Sequence, residues 1–457
     1  MMFAMKLDGN KNLRKYSMFL SGLVLLQPLY LALNAVYFTI RRFHVPDSSV
    51  DLFISKLLNS SQFCYFLGML LVAVYVSFVP QRYQKHNNIL SIASNWATVV
   101  CSVLLLLSYV VKGEQGSLTF FYYMIAISSL VFSFNQGLVM NVSAPEIHWY
   151  AVAIPVSGIV VVVYQLTFLF FAEKLNIKGI NLTIVTVQTV LAIFATIATS
   201  VLWTMTYFSA DSSLLIPESF EFESSSFFSN LWMSKFPILI TFFGLGYVYI
   251  VYPAIAPYKL TELRPAYRID LLSVFAVGLS STIIVFLCEY TNLGPNKNWR
   301  HTHSLWNYST LLIIPYLLMP ILFIVPLHYP NTKLAELMTK NKAFLGFFTI
   351  VFVVLHALMV TVGYSAASMQ TNDQYNPSMT SFNTFFSYFF IVFIVLVSQG
   401  YLKTYKEFLN NSDTWATNDM KGPRAFFYWL GKSFQYGWDA FTETFSSDIK
   451  SDILKTN

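Results

Sequence analysis

The polar side chains that could bind a solute in this chain are amides and hydroxyls inside long apolar stretches. They are Gln27, Asn34, Asn135, Gln136, Gln165, Gln188, Ser280, Ser281, Thr282 and Gln399. An amide offers both a donor and an acceptor, which suits a neutral polar solute such as a nucleoside, a nucleobase or a sugar. Each of these groups could instead hold two helices together by a hydrogen bond. Asn135 and Gln136 are adjacent, so on a helix they would point to different sides.

Charged side chains are almost absent from the same stretches. Asp270 and Glu289 fall at the two ends of one apolar run, where we expect water to reach them, and Glu146 falls between two runs. A proton-coupled carrier generally needs a titratable group in its pathway. The pattern therefore favours an uncoupled facilitator that moves a neutral solute downhill. His356 lies mid-run, where a histidine could relay protons or simply bond two helices.

Signals of enzyme chemistry are weak. His301 and His303 have no cysteine or carboxylate companion at the spacing that a metal site needs. The chain has no glycine-rich phosphate loop and no G-x-S-x-G sequence. We therefore predict no catalytic residue, no metal, no cofactor and no enzymatic activity. A membrane-embedded transferase that uses His356 is the enzymatic alternative.

The elements that must position these groups are membrane helices. Of the 457 residues, 56% are hydrophobic and 11% are charged, whereas soluble domains contain about 25% charged residues. Apolar runs of roughly 20 residues recur along the chain, and that length crosses about 30 Å of hydrocarbon as a helix. The sequence predicts an all-α, multi-pass protein whose partner is the lipid bilayer. No run of Lys or Arg indicates nucleic-acid binding.

The apolar runs predict eleven transmembrane helices. They cover residues 17–40, 58–80, 88–111, 118–141, 148–172, 180–207, 234–257, 268–290, 305–328, 342–366 and 381–404. The first run is too long for the apolar region of a signal peptide and lacks a clear cleavage site, so we interpret it as a span.

One long loop divides the predicted helices into six and five. Residues 208–233 are rich in serine and acidic, with no Lys or Arg. We predict an N-terminal bundle (1–207), this linker (208–233), a C-terminal bundle (234–404) and a tail (405–457). Two bundles joined by a polar linker are common in transporters whose halves rock about a central site.

The tail carries one aromatic stripe. Its members recur every three or four residues, as one face of a helix does: Phe427, Leu430, Phe434, Trp438, Phe441 and Phe445. Charged residues interrupt the stretch, so we expect an amphipathic helix that lies at the membrane surface as a structural anchor.

The stretch GYVYIVYPAIAPY (246–258) ends a predicted span with two prolines. Proline removes a helical hydrogen bond, and a membrane helix tolerates that where neighbours or water satisfy the freed carbonyl. Pro257 could simply end the helix. We expect Pro253, with Tyr252, to shape a pocket wall or a gate.

Five stretches, in order, resemble the equilibrative nucleoside transporter family. They are GLVLLQPLYLALNAVYF (22–38), NQGLVMNVSAPEIHWYAVAIPVSG (135–158), VYPAIAP (251–257), IIPYLLMPILFIVPLHYP (313–330) and GYSAASM (363–369). The resemblance implies an eleven-span, major-facilitator-like fold and passive nucleoside transport. The chain departs from the family in two places. Residues 268–290 lack the Asp-x-x-Gly-Arg sequence that helps the family hold the sugar, and the tryptophan of the first helix is missing.

We therefore predict a monomeric facilitative carrier of a small neutral solute, with nucleosides or nucleobases first. Gln136 is the expected hydrogen-bond partner of the solute, and the lesser candidates are Gln27, Tyr30, Gln165 and Ser281. The alternatives are a proton-coupled transporter of amino acids or sugars and a non-transporting scaffold or receptor of the same fold. We expect the plasma membrane rather than an organelle. Lys and Arg are commoner on the side of the tail, which would put the N-terminus outside, whereas the family places it in the cytoplasm.

Overall fold

The computed structural model describes most of the chain and shows it to be helical. The described residues are 2–32, 34–78, 86–111, 117–142, 147–208, 224–371, 376–420, 422–443, 445, 449 and 453, and none of them forms a strand. Glu146, Pro145 of the second family-like stretch and the acidic part of the predicted linker lie outside these ranges.

Sixteen α-helices occupy the described residues. They are α1 (Met2–Leu25), α2 (Gln27–Ala32), α3 (Val36–Arg42), α4 (Val50–Phe78), α5 (Asn87–Val110), α6 (Leu118–Val142), α7 (Ile147–Lys174), α8 (Ile180–Tyr207), α9 (Ser224–Met233), α10 (Lys235–Tyr247), α11 (Leu263–Tyr290), α12 (Ile313–His328), α13 (Lys333–Lys340), α14 (Lys342–Ala367), α15 (Pro377–Asn410) and α16 (Gly422–Glu443). Nine helices in the described ranges are long and apolar enough to cross a membrane, or eleven if each of two bent pairs is one span. The predicted all-α, multi-pass architecture is confirmed.

The two bent pairs modify the predicted boundaries. The first predicted span (17–40) is interrupted, and its two parts meet at 46°. The end of the predicted linker is not a loop, because residues 224–233 form α9, which meets α10 at 71°. Phe228 and Trp232 of this helix are exposed large apolar side chains, which would be unfavourable in a solvated loop. The division of the helices into six and five stays a prediction.

The predicted span 234–257 ends early. α10 stops at Tyr247, a 3-10 turn covers Val248–Ile250, and residues 251–262 are irregular. Neither proline of this segment can donate a backbone hydrogen bond, and both prolyl peptide bonds are cis. The segment is buried, with Ile255 and Ala256 fully covered. Irregular backbone at this depth is tolerated where protein surrounds it.

The long helices run between two ends of the bundle, which we call the tail end and the mouth end. The tail end holds residues 251–262, the N-termini of α4 and α11 and the C-terminus of α15; Lys259 binds Asp51 there. The mouth end holds residues 291–300, the C-termini of α11 and α14 and the N-terminus of α15; the Trp299 amide donates to Gln370 there.

Two helix pairs form the main contacts between residues 2–207 (the first half) and residues 235–410 (the second half). They are α4 with α15 and α7 with α11. In the second pair, a Cβ atom on Gly278 would lie 2.8 Å from the carbonyl oxygen of Pro155. This close approach of two backbones therefore requires glycine.

Candidate functional site

A cavity of about 610 Å³ lies between the two halves. Its walls come from α1, α2, α4, α6 and α7 of the first half and from α10, α11, α14 and α15 of the second half. Pockets for drug-sized molecules measure about 300–1,000 Å³. The cavity is therefore large enough for a small organic solute.

Most of the lining surface is apolar by area, and polar groups are spaced along it. The described polar and titratable lining residues are Tyr30, Ser61, Gln62, Tyr65, Ser129, Gln136, Tyr150, Tyr249, Ser281, Cys288, Glu289, Asn296, His356, Thr361, Tyr364, Ser365, Ser368, Thr380 and Tyr388. Six of them are tyrosines. Glu289 is the single carboxylate in this described lining, which contains no Lys or Arg.

Gln136 lies on the cavity wall, and its neighbour Asn135 does not. The Gln136 side-chain oxygen accepts a hydrogen bond from the hydroxyl of Tyr65 on α4. The Asn135 side-chain oxygen accepts one from Ser94 on α5, at 2.7 Å. The helical period thus sends one amide towards the cavity and the other to a helix contact.

Two tyrosines from opposite halves stack beside Gln136. The rings of Tyr65 on α4 and Tyr388 on α15 are 4.7 Å apart between centroids, with their planes at 22°. Both residues line the cavity. Stacked aromatic rings attract each other, so the pair is part of the contact between the halves.

Tyr30 and Ser281 also line the cavity, each tied to a neighbouring helix. The Ser157 hydroxyl of α7 donates to the Tyr30 oxygen at 3.0 Å. The Thr361 hydroxyl of α14 donates to the Ser281 oxygen at 3.0 Å. These bonds hold the two side chains in place on the wall.

Gln27 and Gln165 do not line the cavity. The Gln27 amide, at the start of α2, donates to the carbonyl of Leu23 near the end of α1, at 3.5 Å. Gln165 is fully buried; it donates to Gln188 at 3.0 Å and accepts from Tyr267 at 2.9 Å. Both amides bond within the protein, and the second joins α7 to α11.

Tyr252 and Pro253 lie in the irregular segment at the tail end, away from the cavity lining. The Tyr252 hydroxyl donates to the carboxylate of Asp270. Pro253 is buried. The early end of α10 causes this placement, because the chain after residue 250 turns towards the start of α11.

Asp270 is buried, and the expectation that water reaches it is wrong. Its side chain is 1% exposed. The Asn34 amide of the first half donates to its Oδ2 at 3.2 Å. Since α11 begins at Leu263, Asp270 lies two turns inside the helix, where residues 251–262 cover it. Among the described residues, no Lys or Arg forms an ion pair with it.

Contacts between the halves close the tail end. Lys259 and Asp51 form an ion pair at 2.6 Å, with both side chains largely covered. The Tyr267 ring lies 5.3 Å from the Tyr37 ring and 5.4 Å from the Phe38 ring. At the opposite end, the exposed residue Glu289 lines the cavity near the end of α11. The cavity therefore extends from the middle of the bundle to the mouth end.

His356 lines the cavity, and a backbone carbonyl orients its ring. The Nδ1 atom lies 2.7 Å from the carbonyl oxygen of Gly244 on α10. A carbonyl can only accept, so Nδ1 carries the proton of this bond. His303, in contrast, bonds the carbonyl of Asn292 at 2.8 Å in the mouth-end loop. Within the described ranges, no group of three His, Cys, Asp or Glu side chains could hold a metal.

The sequence did not point to the other tyrosines of the wall or to Gln62. The chain contains 28 tyrosines, and a tyrosine within an apolar run has no local feature that separates a pocket wall from a lipid-facing surface. Their location depends on the rotation of each helix in the bundle.

No family model matches the chain, and no curated protein matches it. Similar solved structures exist. A D-xylose–proton symporter shares a TM-score of 0.53 at 10% identity, over 94% of this chain and 96% of that one. A bacterial homologue of the human lysosomal transporter Spinster has a TM-score of 0.49 at 12% sequence identity, over 95% of this chain and 94% of that one. The nucleoside transporter NupG has a TM-score of 0.44 at 11% sequence identity, over 96% of this chain and 100% of that one.

At these identities the likenesses concern the fold alone. The symporter comparison, with a TM-score above 0.5, supports the fold. The chain has a helical, major-facilitator-like fold and is an integral multi-pass membrane protein.

Proposed function

We propose that this protein is a facilitative carrier of a small neutral solute, with nucleosides and nucleobases as the first candidates. The observation that carries the proposal is the cavity between the halves, lined by Gln136 and six tyrosines and closed at the tail end. We place the carrier in the plasma membrane.

The chemistry of the wall suits a planar, uncharged molecule. Tyrosine rings present flat apolar faces on which a heterocycle can stack. The bond from Tyr65 uses the acceptor end of the Gln136 amide, which leaves the donor end for the solute. An anionic solute would enter a lining whose described residues include no Lys or Arg, so it would lose hydration without gaining a counter-charge.

Alternating access follows from where the halves touch. A cavity that reaches one end and is closed at the other corresponds to one state of a carrier whose halves rock. The reverse state requires the tail-end contacts, such as Lys259 with Asp51, to break. A scaffold of the same fold would need no such cavity, which favours a carrier.

Uptake of radiolabelled adenosine into sealed liposomes containing the purified protein tests the proposal. We expect saturable uptake that is indifferent to a pH gradient, and a loss of about five- to 150-fold in Gln136→Ala, because leaving a buried polar group without its hydrogen bond costs about 1–3 kcal/mol. Asn411→Ala changes an exposed amide and should leave uptake unchanged. Folded protein without uptake, or full uptake by Gln136→Ala, would contradict this assignment.

A proton-coupled carrier is the second candidate, and Asp270 favours it. A buried carboxyl in a membrane helix is a functional candidate by default, and this one joins the two halves through Asn34. The same liposomes distinguish the two functions. Uptake that an inward proton gradient accelerates in the native chain, but not in Asp270→Asn, would support coupling.

A further inference from the structure

The tail helix α16 is seated directly on α15. A Cβ atom on Gly437 would lie 2.4 Å from the carbonyl oxygen of Leu396, and one on Gly400 would lie 1.8 Å from that of Ser433. As residue numbers rise along α16 they fall along α15, so the helices run antiparallel. Backbones approach this closely only where glycine leaves room.

The start of α16 is fixed to the tail end of the second half. The His328 ring of α12 lies 4.5 Å from the Trp429 ring of α16. His328 Nε2 is also 2.9 Å from the Tyr401 hydroxyl of α15. Further along, the Tyr436 hydroxyl donates to the Glu407 carboxylate of α15 at 2.5 Å.

The far end of α16 reaches the first half. The Phe441 ring meets the Phe63 ring of α4 edge-on, with centroids 4.7 Å apart. Just beyond the helix, the Phe445 ring lies 6.1 Å from the same Phe63 ring. The Tyr123 hydroxyl of α6 donates to the Phe445 carbonyl at 3.1 Å. One segment of the tail therefore contacts both halves.

We propose that α16 is a brace across the seam between α4 and α15, and that it favours the state in which the tail end is closed. The inference rests on the alternating access of the proposed function. Opening the tail end separates α4 from α15. That movement must break the contacts of Phe441 and Phe445 with the first half or pull α16 from its glycine-lined seat.

The brace can be tested by the distance between spin labels at Lys178 and Lys333 of the full chain, with the native cysteines replaced by alanine. Both positions are exposed at the tail end, one in each half, and neither belongs to α16. Phe441→Ala should raise the ratio of open to closed distances roughly two- to tenfold, which is the effect of losing an aromatic pair. Phe426→Ala removes an exposed ring of the same helix and should leave the ratio unchanged.

Gly437→Leu provides an independent variant, because its side chain would collide with the α15 backbone. We expect a larger shift to the open distances than with Phe441→Ala. Wild-type distance distributions in both variants would overturn the brace. If Gly437→Leu does not fold, Phe441→Ala alone decides. The readout needs no solute, so a failure of the nucleoside assignment would leave this result interpretable.

Discussion

The amide of Asn34 in the first half donates a hydrogen bond to the carboxylate of Asp270 in the second half, at 3.2 Å. Both side chains are at least 95% buried. This bond crosses the seam at the closed end of the cavity. In the proposed carrier, this bond would have to break whenever the tail end opens.

Removing both partners of this pair should cost less than the sum of the two single losses. Asn34→Leu leaves the buried carboxyl with one donor fewer and should lower stability by about 1–3 kcal/mol. In Asn34→Leu/Asp270→Leu, the carboxyl that lost the Asn34 donor is gone; Tyr252 loses its acceptor in this variant just as it does in Asp270→Leu alone. The total loss should therefore be smaller than the sum of the single losses. Thermal unfolding of the four purified proteins measures this. Additive losses would mean that the two side chains do not interact.

The ring of Tyr388, rather than its hydroxyl, should matter for the cavity wall. Tyr388→Ala removes the stack on Tyr65 and should cost about 0.5–1.5 kcal/mol. It should also raise the adenosine concentration for half-maximal uptake. Tyr388→Phe retains the ring and should stay close to the native chain in both respects. Equal effects of the two substitutions would contradict a stacking role.

The ion pair between Lys259 and Asp51 should help to close the tail end. In Lys259→Glu, the new carboxylate would face that of Asp51, so repulsion would replace the partly buried ion pair. A cysteine placed at Ala35, which is fully buried at this end, should then react roughly tenfold faster with a membrane-impermeant thiol reagent. The charge-exchanged variant Lys259→Glu/Asp51→Lys should restore the slow reaction of the cysteine at position 35. Failure of the exchange to do so would argue against a specific pair.

Two helical glycines should respond in opposite ways to alanine. A Cβ atom on Gly278 would lie 2.5 Å from an Ile159 side-chain carbon, so Gly278→Ala should push α7 away from α11 at a cost of about 1–3 kcal/mol. Gly431 has open space around it, and Gly431→Ala should gain about 0.5–1 kcal/mol. Melting temperatures compare the two variants. A gain at both positions would mean that the seam is looser than these distances indicate.

The helices themselves could be predicted from the sequence, for a physical reason. A chain that crosses hydrocarbon must satisfy its own backbone hydrogen bonds, so each apolar run of about 20 residues has few options besides helix. The different directions of Asn135 and Gln136 also followed from the helical period alone. For these features, local pattern and final structure agree because neither depends on distant residues.

Other features were decided by the tertiary structure. Tyr252 was expected at a pocket wall, yet α10 ends at Tyr247 and the turn that follows brings Tyr252 to Asp270. Asp270 looked water-accessible because its cover comes from residues 251–262, whose path no periodicity describes.

The same holds for the cavity wall and for the tail. Tyr65 and Tyr388 stack although hundreds of residues separate them, and the tail helix meets Phe63 of α4. The sequence by itself determined that this protein is a bundle of membrane helices with few charges inside. The packing of the two halves decided which side chains surround the cavity, because a pocket wall depends on how whole helices are rotated and placed against one another.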